Sequence, residues 1–87
     1  MYQIEYTKQA VKDIGLLKKA RLDKKAKNLI EIIRNNPFEK YPPFEKLIGD
    51  LQGAYSRRIN IHHRLVYMVF EEEKIVRILR MWTHYDK

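Results

Sequence analysis

Glu45, Arg58, Arg64 and the pair His84-Tyr85 are the side chains of this sequence whose types could act together on a phosphodiester. RNA can be cut with neither a metal nor a water nucleophile. A general base takes the proton from a 2′-hydroxyl, the oxygen attacks the adjacent phosphate, and a general acid protonates the departing 5′-oxygen. The phosphorane-like transition state also needs a cation to stabilise its charge. The minimum set is therefore a carboxylate or histidine as base, a histidine as acid, and one or two arginines. Each member has an ordinary alternative. Glu45 can be a plain surface charge, Arg64 can pair with the acidic run Glu71–Glu73, His84 can stack inertly beside Trp82, and Tyr85 can be terminal packing. Tyr55, Tyr67 and Trp82 read as core rather than as platforms for bases.

A hairpin positions most of these groups. Residues 55–67 read YSRRINIHHRLVY, two strand-forming runs around a histidine pair. Alternation puts Tyr55, Arg57, Ile59 and Ile61 on one face and Ser56, Arg58 and Asn60 on the other. The second run is apolar on both faces, as a central strand would be. His62-His63 is a weak turn dipeptide. Three arginines, at 57, 58 and 64, are hard to explain by packing, and a guanidinium fork suits phosphate oxygens. The hairpin reads as the floor of an anion-binding surface.

The rest of the chain must support that floor. Tyr2, Ile4 and Tyr6 alternate as a first strand, and Thr7 can cap a helix running from Lys8 to about Ala20. Ala10, Val11, Ile14 and Leu17 form its apolar stripe. A second helix is expected from Leu22 to Asn35, with Leu22, Ala26, Leu29, Ile30 and Ile33 facing inward, ended by Asn36-Pro37. Between Lys8 and Lys27 there are eight basic residues, among them Lys18, Lys19, Lys24 and Lys25, against Asp13 and Asp23 alone. They fit either a solvated helix face or a track along a phosphate backbone. Pro37 to Gly53 reads as a long loop pinned by Phe38, Phe44, Leu47 and Leu51. A last strand starts at Ile75, with Val76, Ile78, Arg80, Trp82 and His84 on one face. The order is β-α-α-β-β-β: an α+β fold with two N-terminal helices on a mainly antiparallel four-stranded sheet.

A chain of 87 residues is expected to form one domain over 1–87. There is no cysteine, and His62, His63 and His84 have poor zinc spacing, so no metal or cofactor is expected. No apolar run approaches the ~20 residues that cross a bilayer, and MYQIEYTKQA lacks a signal pattern. The expectation is a soluble cytoplasmic protein with no membrane partner. A net charge of +7 invites an anionic partner, most simply nucleic acid.

In combination, FEKL at 44–47, YSRRIN and HRLVY within 55–67, and WTHY at 82–85 resemble the YoeB/Txe branch of the RelE/ParE toxin superfamily. The match runs from the first strand to the tail, and HRLVY with a terminal HY is its most specific part. The resemblance implies a RelE-like fold and a ribosome-dependent mRNA endonuclease. Its partners would be the ribosome, through 16S rRNA and the mRNA in the A site, and a YefM-like antitoxin that holds it inactive. The oligomeric state stays open, a homodimer included. Position by position, Glu45 would be the general base, Arg64 the phosphate stabiliser, His84 the general acid, and Tyr85 an orienting or stacking group. Arg58, and less directly Arg57, would hold the RNA backbone. Independently of the resemblance, the charge of the helices makes Lys18, Lys19, Lys24 and Lys25 candidate RNA contacts. Ile48 stands where relatives have a lysine, and His62 where some have an acid.

Two other readings share the fold. One is a ParE-like toxin that docks on DNA gyrase without cutting RNA. The other is a basic nucleic-acid-binding module, indifferent to Glu45 and His84.

Overall fold

A computed structural model of the chain describes residues 1–82. Two helices cover one face of a five-stranded sheet, in the order β1 (Gln3–Tyr6), α1 (Lys8–Lys19), α2 (Asp23–Asn35), β2 (Phe44–Lys46), β3 (Ala54–Arg58), β4 (Arg64–Phe70) and β5 (Ile75–Arg80). Across the sheet the strands run β1-β5-β4-β3-β2. The sheet is mixed. β1 lies parallel to β5, with Gln3 against Ile75 and Tyr6 against Ile78, while the other neighbours are antiparallel. The expected four-stranded, mainly antiparallel sheet is thus corrected in two respects. The loop after α2 contributes a fifth strand, β2, which reaches the ladder because Phe44–Lys46 pairs with Tyr55–Arg57. The first strand enters parallel because the two helices carry the chain back across one face of the sheet before the hairpin begins.

Local chemistry explains the element ends. Thr7 caps α1 as expected: its hydroxyl accepts from the Ala10 N–H at 3.1 Å and donates to the Leu79 carbonyl at 2.7 Å, tying the helix start to β5. α2 stops before Pro37, and the Asn36 side chain accepts from the Phe38 N–H at 3.0 Å to turn the chain. Leu17, Ile33, Leu65, Tyr67, Val76 and Ile78 are all within 1% of complete burial and form the centre of the core between helices and sheet. Val11 is not part of it. It is 56% exposed, and buried Asp13 takes the place on the inner face of α1.

One irregularity changes which side chains meet. Tyr67 pairs with Ile78, but Val66 pairs with Arg80, so Leu79 is an extra residue in β5. Arg80 therefore comes into register with Val66 instead of continuing the face of Val76 and Ile78, as strict alternation predicted.

Candidate active site

The hairpin turn is built by an asparagine. The Asn60 side-chain oxygen accepts from the backbone N–H of both His62 and His63, at 2.9 and 2.7 Å, and the Ile59 N–H donates to the His63 carbonyl at 2.9 Å. An Asx-type turn needs no glycine, which is how His62-His63 can occupy it. The turn brings Arg58 and Arg64 directly opposite each other as the last pair of the β3–β4 ladder.

On the same face, β2 places Glu45 across from Ser56. The Arg64 guanidinium donates to the Glu45 carboxylate at 3.0 Å and to the Ser56 hydroxyl at 3.3 Å. Glu45 keeps 66% of its side-chain surface in solvent, whereas Arg64 keeps 18%. Pro42, Pro43, Ile59 and the exposed Ile61 complete an open cleft of about 540 Å³ around these groups. Two guanidinium-bearing residues facing each other across a ladder repel. Here a carboxylate and an open cleft adjoin them, an arrangement suited to a phosphate. The pairing of Arg64 with Glu71–Glu73 allowed by the sequence is not the contact formed.

Arg57, next in sequence, does something else. It is fully buried. Its guanidinium donates to the carbonyls of Pro37 at 3.1 Å, Glu39 at 2.8 Å and Pro42, and its Nε to the Tyr67 hydroxyl at 3.0 Å. The Tyr67 hydroxyl donates in turn to the Pro37 carbonyl at 2.8 Å. Phe44 lies under the guanidinium at 5.0 Å, and Phe38, Phe44 and Tyr55 meet edge to face or tilted around it. Burial raises the Tyr67 hydroxyl above its ordinary value of 10.0, partly opposed by the Arg57 hydrogen bond and charge. The expectation that Arg57 faces RNA is therefore replaced by a structural placement: it fastens the proline-rich segment 37–43, which leads directly into Glu45.

The four lysines flank the turn between α1 and α2, all exposed, and Lys25 and Lys18 line different grooves. Lys25 lines a shallow groove with Arg58, Ile59 and Pro42, residues that also line the cleft around Arg64. Lys18 lines a separate groove between the helices, with Lys27 and Arg34. His84 and Tyr85 lie outside the described residues. The chain leading to them is held at two points. Trp82 stacks on His63 with ring centroids 3.9 Å apart, and buried Asp13 accepts from the Met81 and Trp82 N–H groups at 2.8 and 3.2 Å. Asp13 was not singled out from the sequence, although an acid at the inward position between Ala10 and Leu17, on a helix otherwise rich in lysine, was a readable signal.

A family model described as the YoeB-like toxin of bacterial type II toxin-antitoxin systems matches residues 6–85. The chain belongs to this family. Toxin YoeB of Escherichia coli strain K12 is 40% identical over 60 residues, covering 69% of this chain and 71% of that protein. Among solved structures, the YoeB/ParE toxin from Agrobacterium tumefaciens matches with a TM-score of 0.85 at 29% identity, covering 95% of this chain and 99% of that one. The toxin in the YoeB-YefM complex from Staphylococcus aureus matches with a TM-score of 0.81 at 34% identity, covering 98% and 99%. Among the described residues of this YoeB-like toxin, no helix is long and apolar enough to cross a membrane.

Proposed function

We propose that this toxin is a ribosome-dependent endoribonuclease that cleaves mRNA in the A site by 2′-hydroxyl attack. The observation that carries the reading is the Glu45–Arg64 contact at 3.0 Å in an open cleft, with Arg58 across the ladder. Glu45 takes the proton from the 2′-hydroxyl, and that oxygen attacks the adjacent phosphorus. The bond to the 5′-oxygen breaks, and His84 protonates that oxygen as it leaves. The products are a 2′,3′-cyclic phosphate, or the 3′-phosphate after it opens, and a 5′-hydroxyl end. Arg64 stabilises the charge that develops on the phosphorane oxygens. An entering phosphate also competes with Glu45 for that guanidinium, releasing the carboxylate to act as base. Tyr85 orients or stacks on the substrate, Arg58 and Lys25 hold the backbone along their shared groove, and the exposed lysines 18, 19 and 24 contact ribosomal RNA. The ribosome supplies the alignment that this shallow site lacks.

A partner follows from the same reading. A surface of net charge +7 favours an acidic segment that folds on contact, and a similar toxin is found in complex with YefM. A YefM-like antitoxin that covers Arg64 would keep the phosphate out.

Primer extension in a translation extract tests the enzymatic claim. The expected result is cleavage within the A-site codon when ribosomes are present. Without them RNA should bind weakly, with affinity that falls steeply with salt. Efficient cutting of naked RNA would make the toxin a free ribonuclease, and absence of cutting in both conditions would favour a ParE-like docking toxin.

A further inference from the structure

We infer that Asp13 of α1 is a positioning residue for the acid-bearing end of the chain, an inference that rests on the assignment of His84 as general acid. Asp13 is 1% exposed, a buried acid among the apolar residues of the inner face of α1. Both of its oxygens are in use. Oδ1 accepts from the Gln9 side chain at 2.9 Å, and Oδ2 accepts from the backbone N–H of Met81 and of Trp82. These two amides belong to the first two residues after β5. The carboxylate thus holds the backbone just past the strand end, two residues before His84 in the sequence. The Trp82 ring then stacks on His63, the residue immediately before Arg64. Two residues of chain reach at most ~7 Å, so the path from Trp82 to His84 is short, and the backbone direction set at Met81 and Trp82 governs where an imidazole can be delivered. A displacement of about 1 Å in a reacting group can cost on the order of 10²-fold in rate. Asp13 acts on the reaction only through this segment, since Asp13 is not among the residues lining the cleft.

The test compares wild type, Asp13→Asn, Asp13→Ala and His84→Gln by single-turnover cleavage on programmed ribosomes. Each is measured beside a ribosome-binding curve and amide hydrogen exchange. Asp13→Ala should speed exchange at Met81 and Trp82 by at least about tenfold while the Ile33 amide stays protected. Its cleavage rate should fall at least about tenfold with ribosome affinity within a few-fold. Asp13→Asn keeps an acceptor for both amides and should restore most of the rate. In the His84→Gln background, Asp13→Ala should change the rate by less than about twofold, because its effect passes through that side chain. Faster exchange at Met81 and Trp82 with an unchanged rate would overturn the inference and leave Asp13 a purely structural residue. If Ile33 also loses protection, Asp13→Glu decides. It keeps the carboxylate but moves it by one methylene, so slowed cleavage by a folded protein supports positioning and an unchanged rate overturns it. A His84→Gln rate equal to wild type would remove the acid assignment itself, and the positioning role with it, independently of the exchange data.

Discussion

Glu45→Gln and His84→Gln should each slow single-turnover cleavage on programmed ribosomes by at least about 10²-fold, with ribosome affinity within a few-fold of wild type. Glutamine keeps much of the shape of either side chain but cannot exchange the proton that the step requires. The 66% exposure of Glu45 matters here, because a glutamine amide oxygen in that solvent-facing place can still accept from the Arg64 guanidinium, so the fold should be kept. Arg64→Ala should cost more than its contribution to binding, since the guanidinium interacts most strongly when the phosphate gains charge. Lys18, Lys19, Lys24 and Lys25 should behave in the opposite way. Removing their charge should weaken ribosome binding and spare the rate of bound toxin, with Lys25, which shares a groove with Arg58, closest to the message. Near wild-type rates for both glutamine variants would move a ParE-like docking mode to the front.

Arg57→Ala should lower stability by about 3–5 kcal/mol, because it leaves three carbonyls and the Tyr67 hydroxyl without their buried cationic donor and opens a cavity beside Phe44. For a domain of this size that corresponds to a fall in Tm on the order of 20 °C. Arg58→Ala, one residue along and exposed, should move Tm by only a few degrees. Thermal unfolding of the two variants checks the contrast. A stable Arg57→Ala protein that had lost only RNA binding would return Arg57 to the substrate surface.

This contrast shows what the sequence made legible. Alternation already grouped Arg57 with Tyr55 and Ile59, opposite Ser56 and Arg58, so its inward direction was readable. What could not be read was the set of backbone carbonyls that makes a buried guanidinium tolerable, since Pro37, Glu39 and Pro42 approach it only when the loop folds back over β3. The two helices and the hairpin were visible in their periodicities, and Thr7 in its capping position. The strand Phe44–Lys46 was hidden because three residues after a proline pair carry no period of their own and become a strand only by pairing with β3. The parallel contact of β1 with β5 joins residues about seventy positions apart, a distance over which no local pattern speaks. For the site, Glu45 and Arg64 were picked out by residue type and family motif. Their contact depended on that unseen strand, and the anchoring of Met81 and Trp82 by Asp13 depended on a helix and a strand end that meet only in the fold.

The central claim is that the nucleophile is the message's own 2′-hydroxyl, activated in the Arg64 cleft. The most direct measurement replaces the nucleotide 5′ to the scissile phosphate in the A-site codon with its 2′-deoxy form, on otherwise identical programmed ribosomes. Cleavage at that phosphate should disappear while toxin binding to the ribosome stays unchanged. Cleavage of the deoxy-substituted message at the normal rate would mean that water attacks the phosphate, and would contradict the mechanism.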